Sequence, residues 1–300
     1  MTQSLVTRQR IQLVSLLGPV TIFLGIFFAI PLGIMLVYSF LEPGLYGGVE
    51  WNFYHLNFGR ILGWADGEIE DFDLVYILIF LKSIRLALTT VICSLIVCYP
   101  AAYWISRLSN KWKSFFIFLI TLPFFVSLVV RLFAWMLILR PTGFINWILK
   151  SLFNETYFMI YSEPAVLIGM VYIFVPFMFM PLYASIEKLD QSLIEASYDL
   201  GASRLQTFLR VIFPMTLPGV IGGSIIVFIP SVGNFVVPSL LGGAKVMMIG
   251  NMVYQQFLYA RNWPFGSALA MMIMASVLGL LVIYVSMVTR GTPGSETLQG

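Results

Sequence analysis

The side chains that most often carry chemistry are few in this 300-residue chain, and their spacing assembles no catalytic constellation. His55 is the only histidine, so neither a histidine metal cluster nor a buried serine-histidine pair can be built from these residues. Cys93 and Cys98 share one predicted helix at a spacing that turns their side chains apart, beyond disulfide reach, and read as packed thiols. Ser127, Ser224 and Ser231 lie in apolar runs and read as helix-contact hydroxyls. Gly242, Gly243, Ala244 and Lys245 lack the upstream glycine and the following Ser or Thr of a phosphate-binding loop. The expectation is a chain with no catalytic site, no metal site and no cofactor of its own.

The elements that hold these residues follow from composition. Charged residues are 10% and hydrophobic residues 59% of the chain, against about 25% charged in a soluble domain. Apolar runs long enough to cross a bilayer core of about 30 Å occur near 13–40, 74–105, 114–139, 164–185, 218–240 and 263–289. The expected fold is therefore all-α, a polytopic membrane protein with six transmembrane helices. The first run lacks a convincing small-residue cleavage site before Glu42 and reads as a retained anchor.

Basic residues resist translocation and gather on the cytoplasmic side. Arg8 and Arg10, then Arg107, Lys111 and Lys113, then Lys188, Arg204 and Arg210, then Arg290 all favour one face. The loop after the first run carries Glu42, Glu50, Asp66, Glu68, Glu70, Asp71 and Asp73 against Arg60 alone. Both termini are expected inside a cell membrane, with a cytoplasmic amino terminus at 1–12, a first helix and external loop at 13–73, a five-helix core at 74–289 and a cytoplasmic tail at 290–300. The net charge of +3 forms no basic stripe and gives no nucleic-acid signal. The spans hold no clear interior acid for proton-driven transport; Glu163, at the edge of the fourth, comes closest. Arg131 sits in the third run and is too costly to face lipid, so it is expected to pair with a carbonyl or acid as a brace or gate. Lys82 and Arg85 are expected to snorkel to the interface.

One stretch, Asp190 to Pro218, is polar between apolar runs. Asp190 can cap a short helix, Leu189 and Ile194 are placed as a hydrophobic staple, and Gly201 supplies the left-handed residue that ends it. Ser203 and Gln206 have capping-box spacing for a second helix, which Pro214 and Pro218 are expected to stop. The prediction is a cytoplasmic helix-turn-helix knob within 186–218.

This stretch resembles the EAA loop of permease subunits in binding-protein-dependent ABC importers. Glu195, Ala196 and Ser197, then Gly201, then Val211, Phe213 and Pro214 hold the positions of its Glu-Ala-Ala, glycine and isoleucine-leucine-proline pattern. Ser197, Val211 and Phe213 depart from the strict residues while keeping the spacing. The resemblance implies the type I ABC importer permease fold and a loop that docks into an ATPase subunit, with Glu195, Ala196, Ser197, Gly201, Ala202 and Pro214 as the coupling residues.

Proline and glycine punctuation marks a candidate pathway, because broken helices are tolerated where they line a polar cavity or are buried in protein. In the fifth run, Pro230 and Gly233 interrupt the middle and Pro238, Gly242 and Gly243 the exit, with Asn234 between them. Trp135, Tyr172, Phe228 and Phe235 offer aromatic faces to a cation, although packing or lipid contact is the commoner role of such residues in a membrane protein. The stretches Leu122–Asn146, Phe228–Phe257 and Asn262–Met274 are similar to the spermidine/putrescine (PotB-type) permease family. That resemblance implies a second related permease, an ATPase dimer carrying ATP and Mg2+, an external substrate-binding protein and a small-molecule polyamine cargo. Asn234 and Ser239 are neutral near positions where such permeases carry acids. A polycationic cargo would then need acids from the second permease; an importer of another small solute, or an ATP-independent channel or carrier, is the alternative.

Overall fold

The computed structural model describes residues 15–64 and 72–290. Expectations for 1–12, for Asp66 to Asp71 and for the tail beyond Arg290 lie outside the described residues. In chain order the elements are α1 (Ser15–Tyr38), β1 (Leu41–Pro43), β2 (Val49–Phe53), α2 (Leu56–Ile61), α3 (Val75–Ser106), α4 (Asn110–Thr121), α5 (Leu128–Leu139) and α6 (Phe144–Phe153). They continue as α7 (Glu163–Glu187), α8 (Gln191–Asp199), α9 (Arg204–Val232), α10 (Val236–Leu241), α11 (Ile249–Leu258) and α12 (Trp263–Arg290). Six stretches are long and apolar enough to cross a membrane: α1, α3, α5 with α6, α7, α9 and α12 through Ser286. The chain forms two compact units, one of 1–75 with 253–279 and one of 76–252 with 280–300.

In the first unit, α1 has no buried residue in its most apolar window, so its whole circumference is left for lipid or other chains. A small antiparallel hairpin follows, with Leu41 opposite Phe53 and Pro43 opposite Val49. The buried Asn57 amide ties it to α2, donating to the Ser39 and Leu41 carbonyls at 3.1 and 2.9 Å. Arg60 lies over the Phe265 ring, 4.8 Å from its centre.

In the second unit, α7 is the central helix, with 56% of its window buried. Its length of apolar residues explains the burial, and the Ser162 hydroxyl caps its start by accepting from the Ala165 amide at 3.4 Å. Helix α9 crosses it closely at small residues. A side chain on Gly223 would put its Cβ 2.8 Å from the Met178 sulfur and 3.1 Å from the Met178 carbonyl, so glycine is required for the approach. Tyr99 on α3 reaches α9 through a 2.8 Å hydroxyl contact with Thr216. Cys93 and Cys98 are both free, and the Cys98 thiol donates to the Val175 carbonyl at 3.5 Å.

Three expectations are corrected. The third run does not form one helix over 114–139: α4 ends at Thr121, a tight turn spans Leu122–Phe125, and α5 begins at Leu128. Pro123 removes a donor and favours this break. Arg131 consequently stands in the first turn of α5. Second, Pro214 and Pro218 do not stop the helix that starts at Arg204, which runs on to Val232. A wide turn at Phe208–Ile212, in which the Phe213 amide bonds back to the Phe208 carbonyl, makes room for the first ring ahead of it. Third, the run 218–240 is two helices, since α9 ends at Val232 and α10 starts at Val236 beyond Gly233.

Candidate functional site

The knob is built from local signals that the chain satisfies almost completely. Asp190 accepts the Ser192 amide at 2.9 Å at the start of α8, and this bond holds its carboxyl below the ordinary value of 3.8. Leu189 and Ile194 are both buried in the core beneath the helix. At the other end the Gly201 amide bonds to the Tyr198 carbonyl at 2.9 Å and the Ala202 amide to Ser197 at 3.0 Å, the paired bonds of a Schellman stop. Gly201 has φ +80° and open space where a Cβ would stand. Its requirement is conformational, not steric. Ser203 and Gln206 then form a full capping box at the start of α9.

Two long-range hydroxyls lock the bend. Ser197, 8% exposed, donates to the Ile194 carbonyl at 2.7 Å and meets the fully buried Thr207 hydroxyl at 2.9 Å. Thr207 was missed in the sequence, because nothing local pairs it with Ser197. Glu195 and Ala196 face solvent on the opposite side of α8. Around them Leu193, Tyr198, Leu200, Leu205 and Leu209 are exposed, Leu200 to 89%. Five large apolar side chains bared on one small polar element form a surface suited to a protein partner. Ala202 is half-buried, and Pro214 lies exposed on α9, within the continuous helix.

The second candidate region is the elbow between α9 and α10. Asn234 caps α10, its side-chain carbonyl accepting the Val237 amide at 3.0 Å. Phe235 is exposed and Pro238 buried. Asn251, unremarked within its apolar stretch, clamps the elbow: its amide donates to the Phe235 carbonyl at 3.0 Å and to the Ser239 hydroxyl at 2.7 Å, while its oxygen accepts the Met248 amide at 3.2 Å. A cavity of about 420 Å³ adjoins this elbow, lined by Met136, Tyr161, Ser239, Leu240, Gly243 and Lys245. Elsewhere Trp135 and Tyr172 meet edge to face at 5.5 Å and pack against the core. Phe228 lines a separate apolar cavity of about 300 Å³ with Leu88, Val91, Ser224, Leu281 and Tyr284. Pro230 is exposed near the end of α9. The candidate pathway residues thus occupy four places: the elbow, the Trp135-Tyr172 pair, the apolar cavity and, for Pro230, the last turn of α9.

The charged residues of the spans also differ from expectation. Lys82 and Arg85 do not simply snorkel; both converge on Glu163, Lys82 at 2.9 Å and Arg85 at 2.5 Å. Glu163 opens α7, where the helix N-terminus further favours its charge. Glu187, at the other end of α7, holds Lys113 at 2.7 Å. Arg131 lies 6.0 Å from the centre of the Phe124 ring, and its Nε and Nη1 are buried without a hydrogen-bond partner among the described residues.

Six apolar helices, an elbow of broken helix and a capped polar knob define an integral membrane protein of the transporter permease class. Residues 90–288 match the family described as binding-protein-dependent transport system inner membrane component, and the chain belongs to it. It is 39% identical over 229 residues to the spermidine/putrescine transport system permease protein PotB of Escherichia coli K12, covering 76% of this chain and 83% of that protein. To PotB of Haemophilus influenzae it is 42% identical over 200 residues, covering 66% and 69%. In fold it is similar to a bacterial alginate ABC transporter crystallised with an alginate pentasaccharide-bound periplasmic protein, at a TM-score of 0.72 and 17% identity over 96% of this chain and 97% of that one. The chain is therefore a multi-pass inner-membrane permease component of an ABC importer, a transport protein and not an enzyme.

Proposed function

We propose that this permease forms half of a translocation pathway for polyamines such as spermidine and putrescine, and that the α8 knob couples it to a cytoplasmic ATPase dimer. The observation that carries the coupling is the knob itself: a short capped helix set by Gly201 against α9, with Leu200 and its apolar neighbours bared around Glu195. The polyamine cargo is supported by the relatives named above. A second related permease completes the pathway, an external binding protein delivers cargo, and ATP with Mg2+ is bound by the ATPase. Both termini are cytoplasmic in this arrangement, which puts the knob on the side of the ATPase.

ATP-driven closure of the ATPase dimer moves the knobs, and the attached helices rock as rigid bodies between outward and inward access. In the knob, Glu195 makes a polar contact with the ATPase, Ala196 permits close approach, and Ser197 with Gly201 and Ala202 fixes the bend. Pro214 and the wide turn before it set the direction in which α9 leaves the knob. Trp135, Tyr172, Phe228, Pro230, Asn234, Phe235 and Pro238 are proposed for the pathway, of which Asn234, Phe235 and Pro238 share the Asn251-clamped elbow.

One observation favours a second reading, an importer of another small solute. Glu163 and Glu187, the two acids of the spans, are both engaged by cations of this chain, and so offer little to a polycation. The polyamine reading assigns the compensating acids to the second permease. Uptake of labelled spermidine into vesicles holding the whole complex, with unlabelled solutes as competitors, separates the two. Binding-protein- and ATP-dependent uptake blocked by putrescine is expected; uptake insensitive to polyamines overturns the cargo assignment.

A further inference from the structure

Tyr99 joins α3 to the stretch of α9 that carries the knob, and it does so at three points. Its hydroxyl meets the Thr216 hydroxyl at 2.8 Å, and both residues are buried. Its ring stands edge-on to Phe208 at 5.4 Å and tilted against Phe213 at 6.1 Å. Phe208 opens the wide turn of α9 and Phe213 follows it, so one side chain of α3 grips the turn from both sides. Phe208 is in turn the neighbour of Thr207, whose hydroxyl meets that of Ser197 in the knob at 2.9 Å. The contacts therefore run unbroken from α8 through the bend to α3.

Both helices are weakened at the level where Tyr99 joins them. The wide turn at Phe208–Ile212 replaces the ordinary helical pattern of α9, a feature that recurs where helices must adjust. In α3 the residue after Tyr99 is Pro100, which has no amide to give the Ile96 carbonyl four residues back. Just before that proline, α3 is tied to α7 instead: the Thr90 hydroxyl contacts the Met170 sulfur at 3.9 Å, and the Cys98 thiol donates to the Val175 carbonyl at 3.5 Å. Tyr99 thus stands where the side-chain bonds of α3 change from α7 to α9.

We infer that Tyr99 is a positioning residue through which movement of the knob reaches α3. Its hydroxyl contact with Thr216 makes the cytoplasmic end of α3 follow α9, and the wide turn and Pro100 absorb the backbone changes at the edges of the moving body. This rests on the coupling reading of the knob. Ring packing alone lets one helix slide along another, whereas a buried pair of hydroxyls at hydrogen-bond distance selects one alignment. Tyr99 touches neither cargo nor ATPase in this account.

The test uses the purified complex with its second permease and ATPase, and follows amide hydrogen exchange before and after nucleotide is trapped on the ATPase with vanadate. In wild type, exchange should change both in the knob, 190–212, and at the end of α3, 101–109. Tyr99→Phe removes the hydroxyl alone, and Thr216 keeps its bond to the Ile212 carbonyl at 3.0 Å. Thermal unfolding and recovery of the ATPase should therefore stay at wild-type levels, while the response of 101–109 is lost and that of 190–212 remains. ATP hydrolysed per spermidine moved should rise about two- to thirtyfold, the range expected for a residue that carries coupling between distant sites. Thr216→Ser, which keeps the hydroxyl, should behave as wild type. A Tyr99→Phe complex whose α3 response and ATP ratio match wild type overturns the inference, as does a wild type in which the knob responds and 101–109 does not. A Tyr99→Phe complex that loses stability or the ATPase shows a structural role and overturns it as well. A wild-type knob that does not respond to trapped nucleotide overturns the coupling reading together with this inference, and is distinguishable from the other outcomes.

Discussion

The hydroxyls of Ser197 and Thr207 meet at 2.9 Å inside the bend between α8 and α9. Neither is reached by solvent to any useful extent, so each satisfies the other. Ser197 stands where the resembled pattern has alanine, and the structure gives the reason: a buried threonine ten positions on, at 207, needs a partner.

Ser197→Ala should destabilise the knob by about 1–3 kcal/mol, because it strands the Thr207 hydroxyl. Thr207→Val should cost a similar amount, and the double substitution should recover most of the loss, since removing both polar groups leaves nothing unsatisfied. Thermal unfolding of the four proteins completes the cycle. Additive losses would mean the hydroxyls act independently.

Gly201 adopts φ +80° with nothing near a would-be Cβ. Gly201→Val should therefore cost about 1–2 kcal/mol through backbone strain alone, while Gly201→Asn, which tolerates this conformation, should cost less. The functional readout is the ratio of ATP hydrolysed to cargo moved, expected to rise for valine and to stay near wild type for asparagine. Unchanged uptake and assembly in Gly201→Val contradict the coupling role.

Asn251 holds the elbow by three hydrogen bonds. Asn251→Leu leaves the buried Met248 amide without its partner, at about 1–3 kcal/mol, while the Phe235 carbonyl keeps the Ser239 amide and hydroxyl. Uptake should fall while the ATPase subunit still co-purifies, because the knob is untouched. Loss of the ATPase along with uptake would show that the damage is global.

The carboxyl of Asp190 is held below its ordinary value of 3.8 by the Ser192 amide. A depressed folded value means that the charged cap contributes fully above the unfolded value and is lost as pH falls through the folded one. Exchange of the Ser192 amide should be flat from pH 7 to 5 after correction for intrinsic rates, then accelerate below the ordinary value. Asp190→Asn should keep the cap and abolish that dependence. A dependence that survives the substitution assigns it to another group.

The legible parts of this chain were those governed by local rules. Hydropathy counted six spans and located four of them, the third and fifth lying instead at Leu128–Phe153 and Arg204–Val232, and side-chain spacing located the Asp190 cap, the Gly201 stop and the Ser203-Gln206 box. Errors came where a neighbour in space overrides a local rule. Pro214 and Pro218 read as stops, yet a wide turn and packing on α7 carry α9 through them. Pro123, read as part of a continuous helix, breaks it. The Ser197-Thr207 pair, the Asn251 clamp and the Glu163 triad join residues far apart in sequence, and no spacing rule pairs them.

The coupling claim is tested most directly at Leu200, the knob residue exposed to 89%. A photo-crosslinking side chain there, in the purified complex, should yield a covalent product containing the ATPase subunit, lost when the ATPase is omitted. A complex that retains the ATPase and transports cargo, yet gives only lipid adducts at position 200, would contradict the account.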